Sequence, residues 1–376
     1  MISRIIVFYG SRKDFESYLL DNIPESEAII PFMELIQHYN ARLRPNDSGV
    51  RESELARHIQ VDNCIVRSDD YGSVLEHALS NFVNIVGLNH DVNNLFVQNP
   101  PKRVLQSLIS VYQENIEYAG SKYQEVTRNS LKRIYNNLNE DVLGQDVCKR
   151  QIISGLYRLT TEATDRPVVL MLYGPSGVGK TETAKSISKS LGGELLRIQF
   201  SMMQTHEAYN YVFGAEHSKS SFARDMMARE SNVILIDEFD KVQPTFYNAF
   251  YELFDEGRFV DSNYEVMLKR TIFLCTCNFM SELEIKQTLG PAMFSRIGCC
   301  IKYDDIGIAQ KQAIIDKWYA QIIDRLQDEE REYISKADIH GWFIENAERY
   351  DNIRILKTKL ENAVFDELTD EFIIKE

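Results

Sequence analysis

Three short segments of this chain bring together residue types that could handle a phosphate chain. The first, Gly174-Pro175-Ser176-Gly177-Val178-Gly179-Lys180-Thr181, fits G-x-x-x-x-G-K-[ST] without a gap. It follows an apolar run, Val168–Tyr173, and precedes a helix-like run, Glu182–Leu191. Strand, glycine-rich turn and helix N-terminus are the setting in which such a turn binds phosphate. The glycines allow positive φ, so successive N–H groups point inward, and the helix N-terminus adds positive potential. Lys180 then reaches the β- and γ-phosphates, and the Thr181 hydroxyl ligates Mg2+. The second segment, Val233-Ile234-Leu235-Ile236, is wholly apolar and ends in Asp237-Glu238. Carboxylates at that end of a strand lie where open α/β sheets bind ligands. Asp237 suits Mg2+ held through water, and Glu238 suits a base that orients and polarises the attacking water. The glutamate favours hydrolysis over phosphoryl transfer to a second substrate. The third segment, Thr271–Cys277, is a buried strand ending at Asn278, whose amide can hydrogen-bond that water or the γ-phosphate.

These side chains need a parallel sheet to hold them, and the order of runs supplies one. Cys299–Tyr303 reads as a further strand, and the last 70 or so residues read as helices with little strand content. The first 120 residues repeat strand–helix alternation by themselves. Arg4–Tyr9, Ala28–Phe32, Cys64–Arg67 and Leu95–Val97 read as strands, and Val74–Val86 and Val104–Glu117 as helices. Ser11 opens an S-x-x-D capping signal before KDFESYLL. Such alternation implies a small parallel α/β layer domain. Its strand ends carry Gly10-Ser11 and Ser68-Asp69-Asp70, which read either as ordinary βα turns or as a ligand site. Tyr118–Gln124 reads as the linker, followed by a helix through Leu131–Leu138.

Composition narrows the function classes. The chain has 376 residues, a 44% hydrophobic fraction and a formal net charge of −14. Acid in excess gives no electrostatic footprint for non-specific binding to nucleic acid or anionic membrane. No apolar run approaches the roughly 18 residues of a membrane helix. The six cysteines lack C-x-x-C spacing and the seven histidines lack ligand spacing. Reduced, mostly buried thiols in a cytoplasmic protein are the expectation.

Taken in order, these segments resemble an AAA+ ATPase, and more narrowly the second ATPase module of the Clp unfoldases and disaggregases. Val142-Leu143-Gly144-Gln145 is similar to the family's apolar-Gly-Gln box, which lines the adenine pocket. Gly174–Thr181 resembles Walker A and Ile234–Lys241 resembles Walker B. Phe254–Asp261 resembles the segment entering a hairpin before the Asn278 strand. Pro291–Gly298 resembles the stretch carrying the arginine finger, at Arg296, and Tyr350–Lys357 the start of the sensor-two helix, with Arg354. The resemblance covers about residues 141 to 376 and leaves the first 120 unassigned. It implies an αβα sandwich on a parallel five-stranded sheet over residues 121–304. A small, mostly helical lid follows over 305–376, and a separate α/β domain over 1–120 precedes both. It implies ATP/ADP and Mg2+ as ligands. Leu143, Gly144, Gln145 and the run Pro175, Ser176, Gly177, Val178, Gly179, Lys180, Thr181, Glu182 would contact the nucleotide, with Glu238, Lys180, Asn278, Arg296 and Arg354 as catalytic groups. It further implies self-association into a ring, expected to be a hexamer, in which Arg296 serves a neighbouring subunit.

One segment departs from that pattern. Unfoldases of this family grip polypeptide with a glycine-flanked aromatic between Walker A and Walker B. Here Glu216-His217-Ser218-Lys219-Ser220-Ser221 occupies that place, several residues shorter and without an aromatic tip. Phe222 reads as a core residue opening the next helix, and Tyr264 of the hairpin Phe259–Val266 as an alternative grip. Torsin-type relatives also lack the aromatic loop and act through partners. No tripeptide loop for a Clp-type peptidase is evident between Asn278 and Arg296. The reading is therefore an ATPase that remodels or switches a protein partner, either acting on a client or as a component of a multi-protein bacterial assembly such as a defence system. The first domain would select the partner. The competing reading is a nucleic-acid loader or translocase.

Overall fold

The computed structural model describes residues 2–43, 59–88, 90–161, 165–203 and 205–375. Strands β1 (Arg4–Tyr9), β2 (Ile29–Pro31), β3 (Ile59–Val66), β4 (His90–Gln98) and β5 (Ile116–Gly120) form one sheet in the order β2-β3-β4-β1-β5. All its neighbours run parallel. Ile5 and Val7 bury one face of β1 in the larger core of this domain, and Ile6 and Phe8 bury the other against Phe15 and Leu19. Parallel strands covered on both faces carry such continuous apolar runs. Helix Arg12–Asn22 starts where the sequence signal put it, with Ser11 Oγ accepting from Asp14 N at 3.1 Å.

Two expectations in this domain are corrected. The run read as one helix over Val74–Val86 holds a short helix, Glu76–Ser80, and the start of a π-turn, Asn84–Leu88. The helix read over Val104–Glu117 is Lys102–Tyr112, and β5 begins at Ile116, inside the stretch read as helix and then linker. β5 is an edge strand with Glu117 and Tyr118 exposed, so it lacks a buried pattern. Its pairing with β1, Ile5 opposite Ile116, makes it a strand.

The second sheet is built from β6 (Val168–Tyr173), β7 (Leu196–Gln199), β8 (Val233–Asp237), β11 (Ile272–Cys277) and β12 (Cys299–Lys302). Its order is β12-β6-β11-β8-β7, again all parallel. A separate antiparallel hairpin, β9 (Arg258–Val260) and β10 (Glu265–Met267), precedes β11. Along β6, Val168, Leu170 and Leu172 pack with helices Arg128–Asp141 and Asp146–Tyr157 on one side. Val169, Met171 and Tyr173 pack into an aromatic-rich core on the other. The C-terminal part is helical: Ile308–Ile323, Asp328–Lys336, Ile339–Glu345 and Ile353–Thr369 share their own core, with Ile315, Leu356, Leu360 and Val364 at its centre.

Counted from the first strand of each, the two sheets have one and the same order, fifth-first-fourth-third-second. Their ends correspond in detail. Tyr9 and Tyr173 each end the first strand, and each gives its carbonyl to the N–H just past the fifth strand, from Ser121 at 2.9 Å and from Tyr303 at 2.7 Å. Asn99 and Asn278 each directly follow the fourth strand. The chain thus carries two sheets of the same topology, only the second with a glycine-rich phosphate turn.

Candidate nucleotide site

The turn after β6 runs Gly174–Gly179 before helix Lys180–Leu191. Gly174, Gly177 and Gly179 have φ of 130°, 80° and 103°. A side chain at Gly177 would bring its Cβ to 2.9 Å from Asn352 Oδ1. The turn therefore needs glycine for conformation and for the closeness of the C-terminal helices. Lys180 is buried, and its Nζ donates to Gly174 O at 2.5 Å, Pro175 O at 2.7 Å and Asn278 Oδ1 at 3.1 Å. Burial pulls its ammonium below the ordinary lysine range. A cation folded back on its own turn, with the N–H groups of a helix start around it, fits a polyphosphate that replaces those carbonyl contacts.

The acidic strand end lies across the same space. Asp237 is buried at the end of β8, where Thr276 Oγ1 donates to it and Arg197 from β7 pairs with it at 2.6 Å. Glu238 follows in a left-handed conformation, φ 56°, with its N–H on Thr276 Oγ1 at 3.0 Å and its carboxylate accepting from Ser201 Oγ. A non-glycine residue at positive φ is a strained choice that recurs at functional sites. Among the described residues no cluster of three His, Cys, Asp or Glu could hold a metal. That fits Mg2+, which uses one or two carboxylates and takes its other ligands from phosphates and water.

The turn, the strand ends and the C-terminal helices enclose a cavity of about 580 Å3. Ser176, Gly177, Val178, Gly179, Lys180, Thr181, Glu182, Asp237, Glu238, Asn278 and Arg354 all line it, as do Val142 and Leu143. Val142, Leu143, Ile306, Ile314 and Ile353 give it an apolar wall. Asn352 caps helix Ile353–Thr369 and donates to Ser176 Oγ at 3.2 Å, so the helical part touches the phosphate turn directly.

Four of the sequence-named residues do not line the cavity. Gly144 and Gln145 line a neighbouring recess, where Gln145 Nε2 donates to Asp304 O at 2.7 Å and its Oε1 accepts from Asp304 N at 3.2 Å. Arg296 lies outside the cavity, paired with Asp255 at 2.8 Å and stacked over Tyr251 at 4.4 Å. Pro175 takes part only through its carbonyl. Sequence reasoning missed Arg197, Gln199, Thr276, Lys317, Trp318 and Lys357, all of which line the cavity. Arg197 and Gln199 sit on a four-residue edge strand, Lys317 and Trp318 on a helix without a motif, and Lys357 at the end of a segment read only for Arg354. Burial also settles the two aromatics near the departing loop. Phe222 is fully buried, as expected of a core residue. Tyr264 is buried too, which rules it out as an exposed grip.

Comparison with known proteins agrees with this geometry. Residues 165–332 match the model of the AAA domain (Cdc48 subfamily), so this part of the chain is similar to AAA+ ATPase modules. Its likeness is to the Clp unfoldases. The chaperone ClpB of Malacoplasma penetrans is 26% identical over 289 residues, 68% of this chain and 40% of that protein. ClpB of Enterococcus faecalis is 25% identical over 316 residues, 73% of this chain and 36% of that protein. The chain thus spans well under half the length of these relatives. A closed-state cryo-EM reconstruction of Hsp104 with ATPγS and FITC casein matches with a TM-score of 0.54 at 11% identity, over 100% of this chain and 89% of that one. The Saccharomyces cerevisiae Hsp104–ADP complex matches with a TM-score of 0.51 at 17% identity, over 66% of this chain and 49% of that one. At these identities the structural likeness establishes the fold alone. Among the described residues no helix is long and apolar enough to cross a membrane, and all six cysteines are free.

Proposed function

We propose that the chain hydrolyses ATP to ADP and phosphate with Mg2+, in a self-assembled ring, and uses the cycle to remodel or switch a protein partner. The observation that carries this reading is the single cavity in which Lys180, Thr181, Asp237, Glu238, Asn278 and Arg354 meet. Thr181 and Asp237 would hold Mg2+, which neutralises charge on the phosphates. Lys180 leaves its carbonyl partners for the phosphate oxygens. Glu238 orients and polarises the attacking water, and Asn278 fixes that water or the γ-phosphate. Arg354 reads the nucleotide from the helical side, so that opening and closing of the lid follows its state. Arg296, held outside its own cavity by Asp255 and Tyr251, is available to a neighbouring subunit. A hexameric ring is the arrangement the Clp resemblance suggests.

Processive threading has less support, because Glu216–Ser221 offers no aromatic grip and Phe222 and Tyr264 are buried. The decisive test is Glu238→Gln. It is expected to bind ATP and assemble as the wild type does while losing turnover. Wild-type turnover in that variant would refute the assignment. Affinity capture with the same variant held in ATP would then isolate the protein partner. Strong stimulation of wild-type hydrolysis by DNA, falling steeply with salt, would favour the loader reading instead.

A further inference from the structure

The strand ends of the first sheet border another cavity, of about 530 Å3, between the N-terminal domain and the rest of the chain. Small-molecule sites have this size, and they recur at domain junctions and at the carboxyl ends of parallel strands. Tyr9, at the end of β1, and Leu105, of helix Lys102–Tyr112, line it from the N-terminal domain. Tyr123 lines it from the segment after β5, and the buried Met227 and Val266 from the rest of the chain. The walls are therefore largely apolar and partly aromatic.

One charge at this cavity is unbalanced. Arg229 lines it with only 8% of its surface exposed, and among the described residues no carboxylate pairs with it. Its Nη1 donates to Met226 O at 2.7 Å and its Nη2 to Asn232 Oδ1 at 3.2 Å, while its Nε has no hydrogen-bond partner. The guanidinium lies over the Tyr123 ring, 4.2 Å from the centroid. Two neutral oxygens and a ring face offset a buried guanidinium only in part. Burial accordingly pulls Arg229 below the ordinary arginine range. Lys102 adds a second cation, whose Nζ donates to Asp261 O at 2.6 Å. The one acidic residue on the wall, Glu265, is already bonded to Arg258 at 2.8 Å. Burial pushes the Tyr9 phenol up to about 12, so it stays a hydrogen-bond donor at neutral pH.

The same walls do not suit a phosphate chain. Backbone N–H groups of the lining residues are already given within the protein: Gly10 N to Asn99 Oδ1 at 2.9 Å, Ser121 N to Tyr9 O at 2.9 Å and Lys102 N to Asn263 O at 2.7 Å. A nest for several phosphate oxygens needs such groups free. A single anionic head on a flat apolar body matches what the cavity offers.

We propose that this cavity binds a small aromatic carboxylate, whose charge compensates Arg229 and whose ring packs among Tyr9, Leu105 and Tyr123. Such a ligand touches both domains, so its binding favours their docked arrangement, in which His217 Nε2 lies 2.9 Å from Val74 O. Binding here needs neither ATP nor its hydrolysis, and it is measured without nucleotide.

The test is isothermal titration calorimetry of the full chain with naphthoate and with naphthamide, its uncharged counterpart. Naphthoate is expected to bind about tenfold more tightly or better, the equivalent of one charge-assisted hydrogen bond. Arg229→Gln should remove that preference. Because loss of a buried arginine can disturb folding, a charge series at the exposed wall residue Gln106 supplies a second measurement. Gln106→Glu should weaken naphthoate by about tenfold and Gln106→Lys should tighten it by a similar factor, with naphthamide unmoved by either. Saturating naphthoate should also slow hydrogen exchange at residues 118–124 and 227–229, which border the cavity. Equal affinity for the two probes, or no detectable binding of naphthoate, would overturn the proposal. So would a naphthoate affinity indifferent to the sign of the charge at residue 106, or protection from exchange confined to other parts of the chain.

Discussion

The two sheets of this molecule share strand order and strand-end contacts, yet they differ in what lies between the ends of their first and fourth strands, a cavity in one and a tying side chain in the other. In the second sheet six residues, Gly174–Gly179, separate the first strand from its helix, and Lys180, Asp237 and Asn278 face a cavity of about 580 Å3. In the first sheet only Gly10 and Ser11 separate β1 from helix Arg12–Asn22. There Asn99 Oδ1 accepts from Gly10 N at 2.9 Å and its Nδ2 donates to Gly10 O at 2.8 Å. Where Asp237 ends β8, the first sheet has Arg67 after β3, paired with Glu16 of helix Arg12–Asn22 at 2.7 Å. The same topology therefore either holds a ligand between its strand ends or ties them with its own side chains. The choice lies in a few turn residues.

The contrast can be broken at graded cost. Arg296→Ala is expected to lower ATPase by about 10³-fold or more while nucleotide affinity holds, the range for an arginine acting on a neighbour's phosphate. Mixing with Glu238→Gln subunits should restore activity only where an intact arginine meets an intact glutamate, and a dilute monomer with full activity would refute the trans role. Asn278→Ala should cost about 10²-fold in rate with little change in melting temperature. Its counterpart Asn99→Ala should do the reverse. Loss of two buried hydrogen bonds to Gly10 is expected to destabilise the N-terminal domain by about 1–3 kcal/mol in denaturant titration. Asn99→Ala should not abolish the basal rate.

The smallest effect tests the tie at Glu16. Its hydrogen bond to Arg67 holds the Glu16 carboxyl below the usual range, with burial opposing it. A depressed carboxyl stabilises the fold above its unfolded value, and that contribution is lost as pH falls through the folded value. The pair is partly exposed, so Glu16→Gln should cost only about 0.5–1 kcal/mol at neutral pH. The gap to the wild type should close as acid protonates Glu16. A gap that persists at acid pH would mean that packing, and not charge, joins the two elements.

Legibility in the sequence followed the length and burial of each element. Strands β6, β8 and β11 are buried throughout and lead into Gly174, Asp237-Glu238 and Asn278, so the strands and the candidate site residues could be read there. β5 and β7 are short and edge-placed, with partly exposed residues, and neither the fifth strand of the first sheet nor Arg197 and Gln199 could be found by pattern. Trp318, Lys317 and Lys357 reach the cavity because two helices distant in sequence fold over it, which no local spacing records.

By itself the sequence determined the phosphate turn, the acidic and amide strand ends and the lack of an aromatic grip, because each depends on residue type within one short run. The tertiary structure alone decided three other things. It placed Gly144 and Gln145 beside the cavity and not in it. It gave the first 120 residues the strand order of the second sheet, with Gly10 after the first strand tied to Asn99 after the fourth. It seated the 216–221 segment on the N-terminal domain. Each of these rests on contacts between groups 89 to 159 residues apart, fixed by parallel pairing and domain packing, which local propensity does not encode.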